Sequence, residues 1–317
     1  MITVLAGGVG AARFLEGLVR AVAPAEVTVI VNTGDDEEFF GLHVSPDIDT
    51  VIYTLSGRVN PEHGWGLAGD TFACLEALGR LGHDTWFRLG DADLATHIHR
   101  TWLLRQGRTL TEVTASIAAA FGLETTVLSM SDEPVRTQVV TPAGVLPFQE
   151  YFVRRGFQDP VQGLRIQGVE SARPAPGVLE SLSRADAIIL APSNPLVSIG
   201  PILAVPGIRE ALVETPAPVA AVSPIVAGRA LKGPADRMMV GLGLEVSARG
   251  VAELYRDFLD IMVLDSADEA LAPQVQSLGI TPVVTNTVMR SAADKAALAA
   301  ATLRALGHEP CGSPSSR

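Results

Sequence analysis

Cysteine is scarce: the chain has 317 residues and two cysteines, Cys74 and Cys311, which excludes a disulfide framework and every metal-thiolate spacing. A reduced, cytoplasmic setting is the expectation. Positive charge is also short. A net charge of -11 and a pI near 5.0 exclude a protein that wraps nucleic acid by neutralising phosphates, so any polyanionic ligand has to be met by a local basic site. Long apolar runs are missing too: the most apolar late stretch, 185–205, is interrupted by Pro192, Asn194, Pro195 and Pro201, which rules out a plain membrane-spanning helix there. Met1 runs straight into ITVLAGG without a basic segment and a cleavage site, so a strand is expected at the start and not a signal peptide. No repeat of fixed period is present.

With 47% hydrophobic residues the chain can bury a sizeable core. Ile2 to Ala6, a glycine turn, and an apolar 3.6-residue pattern from Ala11 to Val19 read as strand, turn and helix; Val27 to Val31 is a second buried strand, closing a βαβ unit. Helices are predicted over 69–81, 91–105 and 110–121, with Thr109 or Thr111 as a cap, and a strand-like run over 85–89. His97 and His99 lie two apart on one of these helices and face different sides, unlike the i, i+4 pair of a zinc helix. Residues 125–129, 135–141 and 145–153 read as β-rich segments of an insertion with a turn at Ala143-Gly144, and 163–176 as a loop-rich return. Strands near 187–191, 219–222, 261–264 and 282–286 then alternate with helices at 178–183, 208–214, 251–258 and 292–306. The fold class is therefore α/β: a Rossmann-like, doubly wound, mostly parallel sheet with a smaller inserted helical and hairpin domain. The expected division is a core of 1–90 and 179–308, an insertion of 91–178, and a disordered tail of 309–317.

One stretch concentrates the chemistry. NTGDDEEFFGLHVSPDIDT, residues 32–50, places Asp35, Asp36, Asp47 and Asp49 directly after a buried strand. Upstream, Gly7, Gly8 and Gly10 let backbone amides approach an anion at a helix start. The third glycine of G-x-G-x-x-G is absent and so is G-K-[ST], which excludes the usual NAD fingerprint and the P-loop. If 45–49 is extended, as Pro46 favours for Ser45, Asp47 and Asp49 share one face. Downstream lies Trp86-Phe87-Arg88-Leu89-Gly90-Asp91. In the second half, Pro192-Ser193-Asn194-Pro195 and the loop carrying Arg229 and Lys232 follow strands, where doubly wound sheets bind ligands.

These segments together resemble the CofD/FbiA family, the transferases of coenzyme F420 biosynthesis. The resemblance rests on GGVGAARF, NTGDD, SPDIDTVIYTLSG, GWGLAGDTF, FRLGDADLATHI, LSMSDEPVRT, FQEYFVRR, APSNPLVSIGPIL and SPIVAGRALKGPA, in that order. It implies transfer of a phosphoenolpyruvyl or 2-phospholactyl group from a guanosine-diphospho donor to the ribityl hydroxyl of the deazaflavin Fo, with release of GMP and with Mg2+ as the metal. On the matching positions, Asp47 and Asp49 become first choices for the metal or for orienting the hydroxyl, and Asp35 and Asp36 second choices for the metal. Arg88 joins Asp49 in binding Fo. Gly7, Gly8, Gly10 and Lys232 meet the donor phosphates, and Ser193 with Asn194 the guanosine. The alternatives are a non-catalytic nucleotide-sugar-binding regulator sharing the glycine-rich start and, more remotely, an NAD-dependent oxidoreductase. Neither nucleic acid nor membrane is an expected partner; the positive mean hydropathy leaves room for a homodimer.

Overall fold

Seven short strands rich in β-branched residues form one parallel sheet in the computed structural model, which describes residues 1–310. They are β1 (Ile2–Ala6), β2 (Val27–Val31), β3 (Thr126–Ser129), β4 (Ala187–Leu190), β5 (Val219–Val222), β6 (Ile261–Asp265) and β7 (Thr281–Thr285). Their order is β7-β6-β5-β4-β1-β2-β3, with every pair parallel. This is the Rossmann order with one strand added, and it reverses direction between β1 and β4. The strands are hydrophobic at successive positions because both faces are covered: Val4, Val29, Val127 and Ile189 enter one core, while Leu5, Ile30, Leu128 and Leu190 enter the other. Helix α1 (Gly8–Ala21) packs on the first face against α2 (Pro46–Leu55) and the helix Ala292–Ala305.

A three-stranded antiparallel sheet, Gly144–Pro147, Arg136–Thr141 and Gly163–Gln167, stands beside the main sheet with its own core of Val139, Leu146, Phe148 and Tyr151. Residues 125–129, read from sequence as part of the insertion, instead pair with β2 and form the sheet's edge strand β3. The return segment is not all loop, since Gly163–Gln167 is the third strand of the small sheet. The run 145–153 leaves its strand after Pro147 and turns helical over Glu150–Arg154. The expected tail reaches described structure only at 309–310; its residues 311–317 lie outside the described residues.

Two further segments depart from the sequence reading. Residues 85–89 form no strand: no neighbouring backbone pairs with them, and Phe87 stacks on Phe39 at 4.0 Å between ring centroids. Residues 46–49 are helical. Pro46 sits at the first helical position, where its fixed φ is an advantage, Asp47 and Asp49 lie near the positive helix start, and Ile48, Val51 and Ile52 point into the core at helical spacing.

Helices α3 (Ala73–Arg80) and α4 (Asp91–Arg105) cap each other. Asp91 accepts from the amides of Ala73 and Cys74, at 3.0 and 2.9 Å, while Asp70 accepts from those of Ala92 and Asp93, at 2.8 and 3.0 Å. Thr109 caps α5 (Leu110–Ala120) in a capping box with Glu112, as the sequence predicts.

Candidate functional site

A cleft of about 1260 Å³ opens at the carboxyl ends of β1, β4 and β5. Its centre is the gap where the strand order reverses, and glycine is what lets the loops on either side of that gap meet. A Cβ on Gly10 would overlap the carbonyl oxygen of Pro192, and one on Gly7 would lie 2.6 Å from Asp47 Oδ2 and 2.8 Å from Ser198 Cβ. The sequence-predicted residues Gly7, Gly8, Gly10, Asp35, Asp47, Asp49, Arg88, Ser193, Asn194 and Lys232 all line this cleft. Asp36 does not. It is buried behind it, where its Oδ2 accepts from Ser45 Oγ and faces His43 Nε2, each at 2.8 Å.

Because 46–49 is helical, Asp47 and Asp49 cannot share a face: two residues turn the helix by about 200°. Asp47 points toward the glycine loop, accepting from the Gly8 amide at 2.7 Å and from Asn32 Nδ2 at 2.9 Å. The same Asn32 amide donates to Asp35 Oδ1 at 3.2 Å, and Gln149 Nε2 donates to Asp35 Oδ2 at 3.1 Å. Neither Asp35 nor Asp47 is in an ion pair among the described residues. Burial pushes Asp47 up to about 7 against the hydrogen bonds from Asn32 and Gly8, and burial with the neighbouring Asp47 and Asp36 charges holds Asp35 well above the ordinary range. These are two desolvated neighbouring carboxylates with no cation in contact among the described residues, the Arg136 charge acting on Asp35 only from a distance.

Asp49 faces the opposite way, into a polar seam between α2 and α4. Both of its oxygens are held by Arg100, through Nη2 to Oδ1 and through Nη1 to Oδ2 at 3.1 Å. Arg100 is fully buried. His97, one turn earlier on α4, presents Nδ1 to Asp49 Oδ2 at 3.6 Å and to Arg100 Nη1 at 3.2 Å. Its Nε2 lies 3.3 Å from Asp93 Oδ1, near enough for attraction but not aligned as a hydrogen bond. Tyr53 donates to that same Asp93 oxygen at 2.6 Å. Burial raises Asp49, with Arg100 and His97 opposing it; burial also pushes Asp93 up, but His97, Tyr53 and Arg100 outweigh it and leave Asp93 below the usual carboxylate range.

Asp49, Asp93 and His97 also lie close enough to share a metal ion. Charge argues for the other pair. Arg100 already neutralises Asp49, whereas Asp35 and Asp47 have no ion-pair partner among the described residues and only the more distant Arg136 opposes the charge of Asp35, so a divalent cation gains more at the second place.

The remaining predicted residues are distributed around this centre. Arg88 is exposed, with its guanidinium 4.2 Å from the centroid of Phe72 and Trp86 and Phe87 beside it in the cleft wall. Lys232 donates to the His63 carbonyl at 2.6 Å and is lowered by burial and by Arg13, which the sequence reading did not select. Ser193 Oγ accepts from the Gly7 amide at 3.3 Å. Asn194 spends its side-chain oxygen on its own turn, accepting from the Leu196 amide at 2.9 Å. Arg100 was missed as well; its signal was the i, i+4, i+7 spacing of Asp93, His97 and Arg100, a charged stripe on one face of a helix.

A family model described as 2-phospho-L-lactate transferase CofD matches residues 2–303. A 2-phospho-L-lactate transferase of Methanococcoides burtonii is 42% identical over 288 residues, covering 91% of this chain and 94% of the relative. A phosphoenolpyruvate transferase of Streptomyces griseus is 46% identical over 285 residues, covering 88% and 90%. Among solved structures, a member of the UPF0052 family from Bacillus halodurans superposes with a TM-score of 0.60 at 16% identity, covering 95% of this chain and 98% of that one. That likeness concerns the fold alone.

Proposed function

This chain belongs to the CofD family of 2-phospho-L-lactate transferases, and on that premise we propose that it transfers a phosphoenolpyruvyl or 2-phospholactyl group from a guanosine-diphospho donor to the ribityl hydroxyl of Fo. The hydroxyl oxygen forms a bond to the phosphorus that carries the three-carbon acid, the bond from that phosphorus to the bridging oxygen breaks, and GMP leaves with the bond's electron pair. The product is a phosphodiester in the coenzyme F420 pathway. The observation that carries this reading is the divergence of Asp47 and Asp49 from one helical turn within one cleft. One carboxylate serves a donor half built around the glycine loop, and the other serves an acceptor half beside Arg88.

On the donor side, Gly7, Gly8 and Gly10 with Lys232 meet the diphosphate, and Ser193 sits at the guanosine end. Asp47 and Asp35, desolvated and unpaired, fit a magnesium ion. Such an ion supplies charge neutralisation along the diphosphate. On the acceptor side, Arg88 and the aromatic wall hold the planar ring system, and Asp49 accepts the hydrogen bond of the attacking hydroxyl and then its proton. Orientation of this kind is most of what an enzyme contributes to phosphoryl transfer.

The test incubates the protein with Fo, Mg2+ and either guanylated phosphoenolpyruvate or guanylated 2-phospholactate. GMP and the matching phosphodiester, read by product mass, are the expected result. Nucleotide binding without GMP from either donor would favour the non-catalytic regulator and end the transferase reading.

A further inference from the structure

Five ionisable side chains meet where α2 crosses α4: Asp49 and Tyr53 from one helix, Asp93, His97 and Arg100 from the other. Four of them line the cleft, and Arg100 stands behind them, fully buried. Helix packing alone does not call for this. Buried ion pairs cost desolvation that well-packed apolar residues avoid, so a seam of charges at a cleft floor points to the cleft. Asp49, Asp93 and His97 place one ligand atom each within 4.8 Å of one another, a donor set that suits a divalent cation. In this chain a guanidinium fork occupies both oxygens of Asp49 instead.

We propose that Arg100 is a resident cation that keeps a divalent metal out of the Asp49–Asp93–His97 trio and, with His97, positions Asp49 to accept the hydrogen bond of the acceptor hydroxyl. The part of this concerning acceptor orientation rests on the transferase reading; the part concerning metal exclusion does not. The argument is one of geometry and charge count. A metal at the trio would draw Asp49's lone pairs toward the seam and leave two divalent ions beside one diphosphate. Arg100 supplies one fixed positive charge that belongs to the chain itself, and it binds both oxygens of Asp49. Each oxygen keeps further acceptor capacity, and Asp49 lines the cleft. Arg100 is therefore a positioning residue and touches no substrate.

Equilibrium binding of Mn2+, counted per chain by electron paramagnetic resonance, tests this without any turnover. Arg100→Met is expected to bind one Mn2+ more than the wild type, and adding Asp93→Asn to that variant is expected to remove the extra ion. Equal Mn2+ counts in Arg100→Met and wild type would overturn the proposal. If Arg100→Met folds only when Mn2+ is present, the metal is replacing the guanidinium and the proposal stands; if it folds under neither condition, Arg100→Lys decides. That variant keeps the charge without the fork, so it should bind the wild-type number of ions, retain Fo affinity, and lose at least tenfold in kcat. An extra Mn2+ in Arg100→Lys, or a wild-type kcat, would refute the resident-cation role. Should the wild type release no GMP from either donor while Arg100→Met still gains an ion, the transferase reading fails and metal exclusion survives.

Discussion

Asp47 is a carboxylate whose burial works against the fold, so replacing it should stabilise the metal-free protein. An acid raised in the folded state binds its proton more tightly there than in the unfolded chain. Its contribution is then fully present below pH 4, falls as pH climbs, and is gone above the folded-state value. The rise from 3.8 to about 7, at about 1.4 kcal/mol per pH unit, sets an upper bound of roughly 4 kcal/mol against the ionised form at pH 8. Asp47→Asn removes that cost but keeps only one of two hydrogen bonds, since its amide would face the Asn32 amide; a lost bond costs about 1 kcal/mol or somewhat more. A net gain of about 2 kcal/mol raises Tm by about 4 °C in a chain of this size. Melting curves of both proteins in chelator, at pH 5 and pH 8, are the assay. The variant should melt higher at pH 8, the difference should shrink toward pH 5, and Mg2+ should stabilise the wild type only. A variant less stable at pH 8, or a difference that does not change with pH, would refute the reasoning.

Asp49→Asn leaves the buried Arg100 guanidinium without its counter-charge and so should cost about 3–5 kcal/mol of stability; in the protein that folds, turnover should fall more than tenfold, and wild-type turnover would remove Asp49 from the chemistry. Arg88→Ala should raise the KM for Fo by about tenfold with a smaller effect on kcat, given a cation stacked in an aromatic wall; unchanged Fo affinity, read by its fluorescence, would move the acceptor pocket elsewhere. Gly10→Ala forces a methyl into the Pro192 carbonyl and so should cost about 1–3 kcal/mol and weaken donor binding. Denaturant unfolding with an unchanged midpoint would show that the two loops separate freely.

Much of the sheet was legible because parallel strands buried on both faces announce themselves as continuous apolar runs bounded by turns, as Val27–Val31 and Ile261–Asp265 do. The segment 46–49 was misread because Pro46 speaks with two voices: it favours extended geometry one residue before itself and also starts helices. Which of these applies depends on whether Ile48, Val51 and Ile52 find a core, a tertiary matter. Residues 85–89 show the converse. Their aromatic, β-prone composition serves stacking with Phe39 and not a ladder. Residue identities at the cleft were largely accessible, but the seam was not, since Arg100 meets Asp49 across 51 positions of chain. Only the periodicity of α4 hinted at it.

The reciprocal caps of α3 and α4 have a bearing on how this site can change over generations. Asp70 and Asp91 tie the two ends of a twenty-residue excursion to each other, so the Trp86–Phe87–Arg88 arm is closed at its base independently of the sheet. Lengthening a loop already closed at its base costs little, because closure entropy grows only with the logarithm of length. The acceptor wall is therefore the part of the cleft where insertions and side-chain exchange disturb the sheet least. The donor side has no such freedom, because there backbone touches backbone at Gly10 and Pro192.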